Sequence, residues 1–202
     1  MNKVALSLGA VVALSSFGVA GGDIVPVEPA VAAVYAPADE SSFYVGIGMA
    51  ATSTRDSSVS LDFTSGKAGQ DRLGNVTLLA GYNINRYFAV EGRYTTTFQD
   101  SDAVEMDSLS IFAKPIYPVS ENFSLYALLG YGAVTMDPSN SLNVNVDESG
   151  FQWGLGADYE VANNTSIFID YTSLASEMDG VYWNGALQVD ADQINVGVTY
   201  KF

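Results

Sequence analysis

The sequence predicts an all-β protein, an eight-stranded antiparallel transmembrane β-barrel with short periplasmic turns and four longer extracellular loops. Three observations lead to this prediction. From Phe43 onward, apolar side chains occupy every second residue in eight segments; each segment has about 9–11 residues, the length that a tilted strand needs to cross a bilayer. The connections alternate between short and long. Tyrosines and phenylalanines cluster near the segment ends, where membrane–water girdles form.

Each segment has an apolar face and a polar face, because successive side chains of a strand point to opposite sides of a sheet. In chain order, the apolar faces consist of Phe43, Val45, Ile47, Met49 and Ala51; Val76, Leu78, Ala80, Tyr82 and Ile84; Phe88, Val90, Gly92 and Tyr94; Leu109, Ile111, Ala113 and Tyr117; Leu125, Ala127, Leu129, Tyr131 and Ala133; Phe151, Trp153, Leu155, Ala157 and Tyr159; Ile167, Ile169 and Tyr171; and Ile194, Val196, Val198, Tyr200 and Phe202. The opposite faces are rich in Gly, Ser, Thr and Asn, which suit a narrow barrel interior. We predict that the apolar faces contact lipid.

The connections fall into two classes. The short ones are residues 85–86, 119–122 and 161–164, and the long, polar and acidic ones are residues 53–72, 98–105, 136–148 and 175–191. Short turns at one end and long loops at the other are typical of bacterial outer-membrane barrels. With an even strand number and an N-terminus on the periplasmic side, all four long loops are expected outside the cell.

The first part of the chain has a different character. Lys3 precedes an almost wholly apolar run, residues 4–14, and small residues end the segment at Ala20. This pattern predicts a cleaved secretory signal peptide at residues 1–20. Residues 21–41 are rich in Pro, Ala and Val and are predicted to form a periplasmic linker, followed by the barrel domain at residues 42–202.

Composition excludes several classes of function. The chain has neither Cys nor His, so disulfides, thiolate metal sites and histidine-based catalysis are excluded. The 23 acidic residues against 8 basic ones argue against nucleic-acid binding, because phosphate contacts require Lys and Arg. No nucleophile motif or phosphate-binding loop is present. We therefore expect no enzymatic activity, no catalytic residue, no cofactor and no metal.

A soluble β-sandwich would also show strands of period two. In that fold the polar face meets water, and more charge is expected on it. Only 15% of the residues are charged, below the roughly 25% of average soluble domains. The sequence therefore favours a membrane barrel over a soluble periplasmic β-protein.

Several stretches resemble the OmpA-like and opacity-type family of small outer-membrane β-barrels, often grouped as a porin family. They are residues 79–94 (LAGYNINRYFAVEGRY), residues 113–118 (AKPIYP) with 123–132, residues 154–159 (GLGADY) and the closing VTYKF. The resemblance covers residues 42–202 as a pattern more than as identity. It implies a protein exported through a cleaved signal peptide into the outer membrane of a Gram-negative bacterium.

The last strand is similar to the assembly signal of such barrels. Its apolar residues are Ile194, Val196, Val198, Tyr200 and Phe202, and the strand ends on the aromatic Phe202. The resemblance implies recognition of this strand by the barrel-assembly machinery.

Six charged residues are predicted to point into the lumen as an interior network. They are Glu91, Arg93, Lys114, Asp158, Asp170 and Lys201. A charge inside a narrow barrel is costly unless it is paired or hydrated, and both signs are present. We therefore expect pairs across the lumen, such as Glu91–Lys114 or Arg93–Asp158.

The network has two interpretations, a plug that fills the barrel or a gate and polar path for small ions. In the family, interior Glu, Lys and Arg residues form such a network, and Glu91, Lys114 and Asp158 lie at matching positions. Leu128 and Phe168 occupy positions where the family leads us to expect Arg, which implies a smaller network and a drier lumen. An eight-stranded barrel is just wide enough for side chains, so the plug is favoured.

Carboxylates in the predicted loops form a second candidate site. They are Asp100, Asp102, Glu105 and Asp107; Asp147 and Glu148; and Asp190 and Asp192. Grouped carboxylates can bind Ca²⁺, but no run has the ligand spacing of an EF-hand. A solvated loop surface is the favoured interpretation.

These observations predict a structural or surface-interaction role with at most limited permeability to small solutes. The alternatives are a small-solute porin, which would conduct ions, and a host-facing adhesin, which would bind through its loops. Expected partners are outer-membrane lipid, lipopolysaccharide, the barrel-assembly machinery and an external ligand that the sequence leaves unidentified.

Overall fold

The computed structural model describes residues 41–63, 70–98, 104–138, 146–182 and 185–202. They form eight strands: β1 Ser42–Asp56, β2 Gln70–Asn85, β3 Phe88–Thr97, β4 Val104–Pro118, β5 Phe123–Pro138, β6 Val146–Ala162, β7 Thr165–Tyr182 and β8 Gly185–Lys201. Each strand pairs with its neighbours in the sequence, and β8 closes on β1, all antiparallel. The predicted fold class is confirmed. The predicted signal peptide and all but the last residue of the predicted linker lie outside the described residues.

Three short turns lie at one end of the barrel, which we call the turn end; the opposite end is the loop end. The turns are residues 86–87, 119–122 and 163–164, within one or two residues of the predicted positions. In the third, Asn164 adopts a left-handed φ of 68°, a conformation that Asn tolerates better than most residues. Its Nδ2 donates to the carbonyl of Lys201 at 2.8 Å, which fixes the turn to the end of β8.

The strands are longer than the sequence predicted. Only β3, with 10 residues, falls in the expected range, and β7 has 18. The prediction that residues 175–191 form a loop was wrong, because β7 and β8 stay paired as far as Tyr182↔Gly185. The pairing shifts register between Ser173 and Met178, and Glu177 in this irregular region has a φ of 53°. Acidic side chains in a strand that continues beyond the bilayer mimic the composition of a loop.

The outer surface of the barrel is apolar. Met49, Ile111 and Leu155 expose between 59% and 64% of their surface. On the inner face, Ala50 next to Met49 exposes 6% and Ser110 next to Ile111 exposes 5%. The predicted division between outward and inward faces is therefore confirmed in every strand. Closing the sheet pairs the backbone amides and carbonyls along both sides of each strand, which a strand in lipid requires.

The polarity of both faces reverses near the loop end. On the outer face of β4, exposed Glu105 and Asp107 precede Leu109; on the inner face, fully buried Met106 precedes Ser108. A cluster of buried apolar side chains fills the barrel here, and we call it the loop-end core: Leu73, Met106, Val134, Met136, Leu174, Ala175, Val189 and Ala191. The loop end is thus built like a small water-soluble barrel on top of a membrane-spanning one.

The described residues contain no helix that is long and apolar enough to cross a membrane.

Candidate functional site

Four of the six predicted lumen charges meet inside the barrel. Arg93 Nε lies 2.7 Å from Glu91 Oε1, and its Nη1 and Nη2 lie 3.0 and 2.8 Å from the two carboxylate oxygens of Asp170. Lys114 Nζ lies 2.8 Å from Glu91 Oε2. Glu91 and Arg93 are two residues apart on β3 and therefore share its inner face. All four residues are buried, and their formal charges cancel.

Two tyrosines that the sequence did not single out complete this group. Tyr44 donates to Glu91 Oε2 at 2.6 Å, and Tyr126 donates to Asp170 Oδ2 at 2.8 Å. The Lys114 ammonium lies 4.1 Å from the centre of the Tyr126 ring and 5.2 Å from that of Tyr44, within the range of cation–π attraction. We call Tyr44, Glu91, Arg93, Lys114, Tyr126 and Asp170 the lumen network. In the sequence, both tyrosines could be recognised only as aromatic residues on predicted inner faces.

Neutral polar side chains extend the lumen network toward the loop end. Asn195 Nδ2 donates to Asp170 Oδ1 at 2.7 Å, and Asn195 Oδ1 accepts from Gln193 Nε2 at 2.7 Å and from Thr77 Oγ1 at 3.0 Å. Thr77 also bonds Thr95 at 2.9 Å. Across the described residues, the sole buried side-chain polar atom without a hydrogen-bond partner is Gln70 Oε1. The interior polar groups are therefore satisfied by one another, as a low-dielectric interior requires.

Apolar side chains fill the space beside the lumen network. The Arg93 guanidinium lies 5.8 Å from the ring centres of both Phe112 and Phe168. Phe168 packs where Gly48 and Gly197 face each other; a Cβ added to Gly197 would lie 2.7 Å from its ring. Leu128 is fully buried. Leu128 and Phe168 thus place hydrocarbon at the positions where the family resemblance implies Arg.

Asp158 and Lys201 are not part of this group. The suggested Arg93–Asp158 pair was wrong, because Arg93 binds Asp170. Asp158 lies opposite Phe168 in the pairing of β6 with β7, nearer the turn end. It lines a polar cavity of about 630 Å³ at that end, together with Glu160, Lys201 and the Lys114 side chain. Lys201 is exposed. The cavity ends where the lumen network begins.

Two acidic residues in the loop-end half of β8, Asp190 and Asp192, are bound by an arginine. Arg55 Nη2 lies 3.0 Å from Asp190 Oδ2, and Nη1 contacts Asp192. Asp190 Oδ1 also accepts from Ser57 Oγ and from the backbone N–H of Glu177, both at 2.8 Å. This cluster ties the β7–β8 hairpin to β1 above the apolar band.

The loop carboxylates do not assemble into a metal site among the residues that can be described. No group of three or more acidic side chains there could hold an ion, and Asp190 and Asp192 are already bound to Arg55. Asp100 and Asp102 lie outside the described residues.

The carboxyl of Asp56, at the end of β1, is hydrogen-bonded by a neighbouring serine. The Ser58 hydroxyl donates to Asp56 Oδ1 at 2.6 Å and the Ser58 amide donates to the same oxygen at 2.8 Å. These two hydrogen bonds hold the pKa of the Asp56 carboxyl below its usual value.

Residues 29–202 match the family model described as the outer membrane protein beta-barrel domain. The chain belongs to this family. The match includes all eight strands and every residue of the lumen network. As a member of this family, the protein is located in the outer membrane. Its turn end faces the periplasm and its loop end faces the cell exterior.

One relative of this outer-membrane barrel is the virulence membrane protein PagC of Salmonella typhimurium strain LT2. The two are 32% identical over 110 residues, which are 50% of this chain and 54% of PagC. The chain thus spans about half the length of this curated relative.

Solved structures of other outer-membrane barrels share the fold. Ail of Yersinia pestis, crystallised with the heparin analogue sucrose octasulfate, is 22% identical with a TM-score of 0.51, covering 81% of this chain and 99% of Ail. Neisserial surface protein A is 19% identical with a TM-score of 0.52, covering 79% and 97%. OprG of Pseudomonas aeruginosa is 16% identical with a TM-score of 0.51, covering 80% and 96%.

Proposed function

We propose that this outer-membrane barrel is a surface-interaction protein with a closed lumen, and that its activity resides at the loop end. The observation behind the proposal is the lumen network, which is charge-neutral and hydrogen-bonded throughout. Phe112, Leu128 and Phe168 fill the space around it. A solute would have to break paired, buried charges in order to pass, which is costly in a low-dielectric interior.

The loop-end core also supports a closed lumen, at a second position along the barrel axis. Met106, Met136 and Leu174 are buried inside the barrel beyond the polar side chains. An ion that passed the lumen network would then meet hydrocarbon, where an unpaired charge has no favourable partner. Two barriers of opposite chemistry therefore lie in series along the barrel axis.

The loop end is acidic, which defines the class of ligand that we propose. Its exposed carboxylates are Glu105, Asp107, Asp147, Glu148, Glu177 and Asp179, and Arg55 is already paired with acids. Such a surface attracts cationic groups and repels polyanions. We therefore propose a cationic protein surface as the external partner, in contrast to the sulfated ligand in the Ail crystals. Lipopolysaccharide phosphates would approach this surface through divalent cations.

Two further assignments belong to this proposal. We propose that Ile194, Val196, Val198, Tyr200 and Phe202 act as the assembly signal for the barrel-assembly machinery. The last four are strongly exposed on β8, and the rings of Tyr200 and Phe202 pack edge to face at 5.2 Å. We also propose that the protein has no catalytic activity, since the hydroxyls of Tyr44 and Tyr126 and the Lys114 ammonium are buried and already bound to the carboxylates of the lumen network.

The polar cavity at the turn end favours a second candidate function, a small-solute porin. The cavity reaches Lys114 and Asp158 from the periplasm, so opening the lumen network and the loop-end core would complete a path. The experiment that decides is single-channel conductance of protein purified from outer membranes without unfolding. We expect no regular conductance steps. Reproducible steps in the unmodified protein would contradict a closed lumen and support the porin.

Binding tests the other part of the proposal. The protein in detergent is passed over immobilised heparin and over immobilised poly-lysine at about 0.15 M salt, where charges further apart than about 8 Å are screened. We expect retention on poly-lysine and none on heparin. A Glu105→Gln, Asp107→Asn double variant should bind poly-lysine more weakly. The matched control is a Glu121→Gln, Glu160→Gln double variant, which removes the same number of charges at the turn end. Retention on heparin alone would contradict the proposed ligand class.

A further inference from the structure

The pairing of β4 with β5 is interrupted at a proline. The ladder runs as far as Ala113↔Leu129, omits Lys114 and Pro115, and resumes in the same register at Ile116↔Tyr126. The N–H of Ile116 donates to the carbonyl of Tyr87, the residue before β3, at 2.8 Å. Successive residues of a strand direct their amides to opposite sides. The nitrogen of Pro115 therefore faces β5, where proline has no hydrogen to donate. One ladder hydrogen bond is absent within the membrane-spanning part.

A groove of about 310 Å³ opens on the outer surface at this interruption. Its lining includes Pro115, Tyr117, Leu125, Tyr126, Ala127 and Leu155. Tyr117, Leu125 and Leu155 belong to the exposed apolar band of the barrel. The groove is thus a depression in the surface that already contacts lipid.

The position of the groove defines the leaflet that it faces. Strand β4 ends at Pro118 and β5 begins at Phe123, so the groove lies a few residues from the turn end. At about 3.3 Å per residue, this places it in the periplasmic half of the membrane, whose lipids are phospholipids. The Tyr117 ring is where an aromatic girdle would meet their headgroups.

We propose that this groove binds one acyl chain of a phospholipid from the periplasmic leaflet. The groove is apolar, it is continuous with the lipid-facing surface, and an unfilled depression would leave Leu155 and Ala127 without dispersion partners. The groove lies at the ladder interruption and is lined by β4, β5 and β6, so the bound chain would lie along the outer surface of these three strands. This inference rests on the membrane location and is independent of what the loop end binds.

One residue of the groove lining, Tyr126, also belongs to the lumen network. Its side chain is buried on the inner face, where its hydroxyl donates to Asp170 and its ring faces the Lys114 ammonium. A chain in the groove therefore lies against the strand that carries one of the six side chains of the lumen network.

The test counts phospholipid retained by the purified protein. Protein extracted in mild detergent is examined by native mass spectrometry after titration with phosphatidylethanolamine. We expect the unmodified protein to retain one phospholipid. Ala127→Phe places a ring in the groove and should lower the lipid-bound fraction several-fold. Ala133→Phe is the matched control, since Ala133 is an exposed, outward alanine of the same strand away from the groove.

A second variant covers the case in which Ala127→Phe does not fold. Pro115→Ala supplies the missing N–H without adding bulk, so the strands can pair and the groove should close. We expect this variant to refold, as judged by its heat-dependent mobility on a denaturing gel, and to lose the lipid. The proposal is overturned if the unmodified protein retains no phospholipid, if detergent replaces it at equal concentration, or if the folded groove variants retain as much as Ala133→Phe. None of these outcomes depends on conductance or on poly-lysine binding.

Discussion

Arg93 and Asp170 are bound by two parallel hydrogen bonds, Nη1 to Oδ1 at 3.0 Å and Nη2 to Oδ2 at 2.8 Å. They lie on β3 and β7, on opposite walls of the barrel, and are separated by 77 residues in sequence. The planar fork of arginine matches both oxygens of a carboxylate, which a lysine ammonium does not. This pair therefore fixes the distance between two walls that have no backbone contact.

Removing the arginine should destabilise the barrel strongly. Arg93→Met leaves Glu91 paired with Lys114 but takes from the buried Asp170 its arginine partner, and breaking a buried pair in this way costs about 3–5 kcal/mol. The free energy of unfolding is measured by urea titration in lipid vesicles. The control is Arg86→Met in the exposed first turn, where a change within about 0.5 kcal/mol is expected. An equal loss of unfolding free energy in the two variants would show that the Arg93–Asp170 pair does not stabilise the barrel.

Depth along β4 should determine the cost of a new charge. Ile111→Arg places a guanidinium in the apolar band and should cost about 2–4 kcal/mol in unfolding free energy. Glu105→Arg is on the same outer face above the reversal of polarity, and we expect a cost below about 1 kcal/mol there. Urea unfolding in vesicles measures both. Similar costs at the two positions would mean that the apolar band does not face lipid.

The loop-end core should contribute to stability as a soluble core does. Leu174→Ala leaves a cavity next to Met106 and Met136 and should lower the free energy of unfolding by about 2–5 kcal/mol. Ser176→Ala, two residues further along β7 and exposed, is the control and should be nearly neutral. If Leu174→Ala unfolds at the same urea concentration as the control, the strand extensions do not share a packed interior.

Asp190 should control the mobility of the β7–β8 hairpin. Its Oδ1 holds the amide of Glu177, which has a left-handed φ, and Asp190→Ala removes that acceptor together with the contact to Arg55. We expect faster hydrogen exchange at the Glu177 amide, measured by mass spectrometry or NMR. Asp179→Ala, an exposed acid on the same hairpin, should leave that rate unchanged. Unchanged exchange in Asp190→Ala would show that the hairpin does not depend on this carboxylate.

The pKa of Asp56 should rise when Ser58 is changed. The Ser58 hydroxyl and amide both donate to Asp56 Oδ1 and favour the ionised carboxylate, so its pKa in the folded protein lies below the unfolded value. Ser58→Ala removes one donor, and a carboxyl NMR titration should show the pKa shifting upward toward the usual value. Since the folded pKa is the lower one, the stabilisation is present above the unfolded pKa and disappears as pH falls through the folded pKa. An unshifted titration would assign the effect to the backbone donor alone.

The sequence was sufficient for the membrane-spanning part of the fold. A residue such as Ile111 must face lipid and its neighbour Ser110 the lumen, because strand geometry alternates strictly and a one-residue slip would reverse both. The number of strands and the positions of the short turns follow from the same alternation. Residue types alone could also place Glu91, Arg93, Lys114 and Asp170 on inner faces.

Of the two suggested ion pairs, Glu91–Lys114 is present in the structure, whereas the partner of Arg93 could not be read from residue types. Arg93 binds Asp170 and not Asp158, because the register of β6 with β7 places Asp158 nearer the turn end. That register depends on the pairing of all the strands together. The loop-end core was also missed. Met106 lies between two acids in the sequence, and that pattern resembles a polar loop unless the reversal of polarity is known.

The reversal of polarity along β4 also limits how the protein sits in membranes of different thickness. Glu105 and Asp107 resist immersion in hydrocarbon, while Leu109 and Ile111 resist exposure to water, so the barrel cannot move along the membrane normal to accommodate a mismatch. The rigid closed sheet cannot shorten by tilting single strands. In a bilayer thicker or thinner than the apolar band, the lipids must stretch or compress around the barrel, and the protein would favour membrane regions whose thickness matches its own.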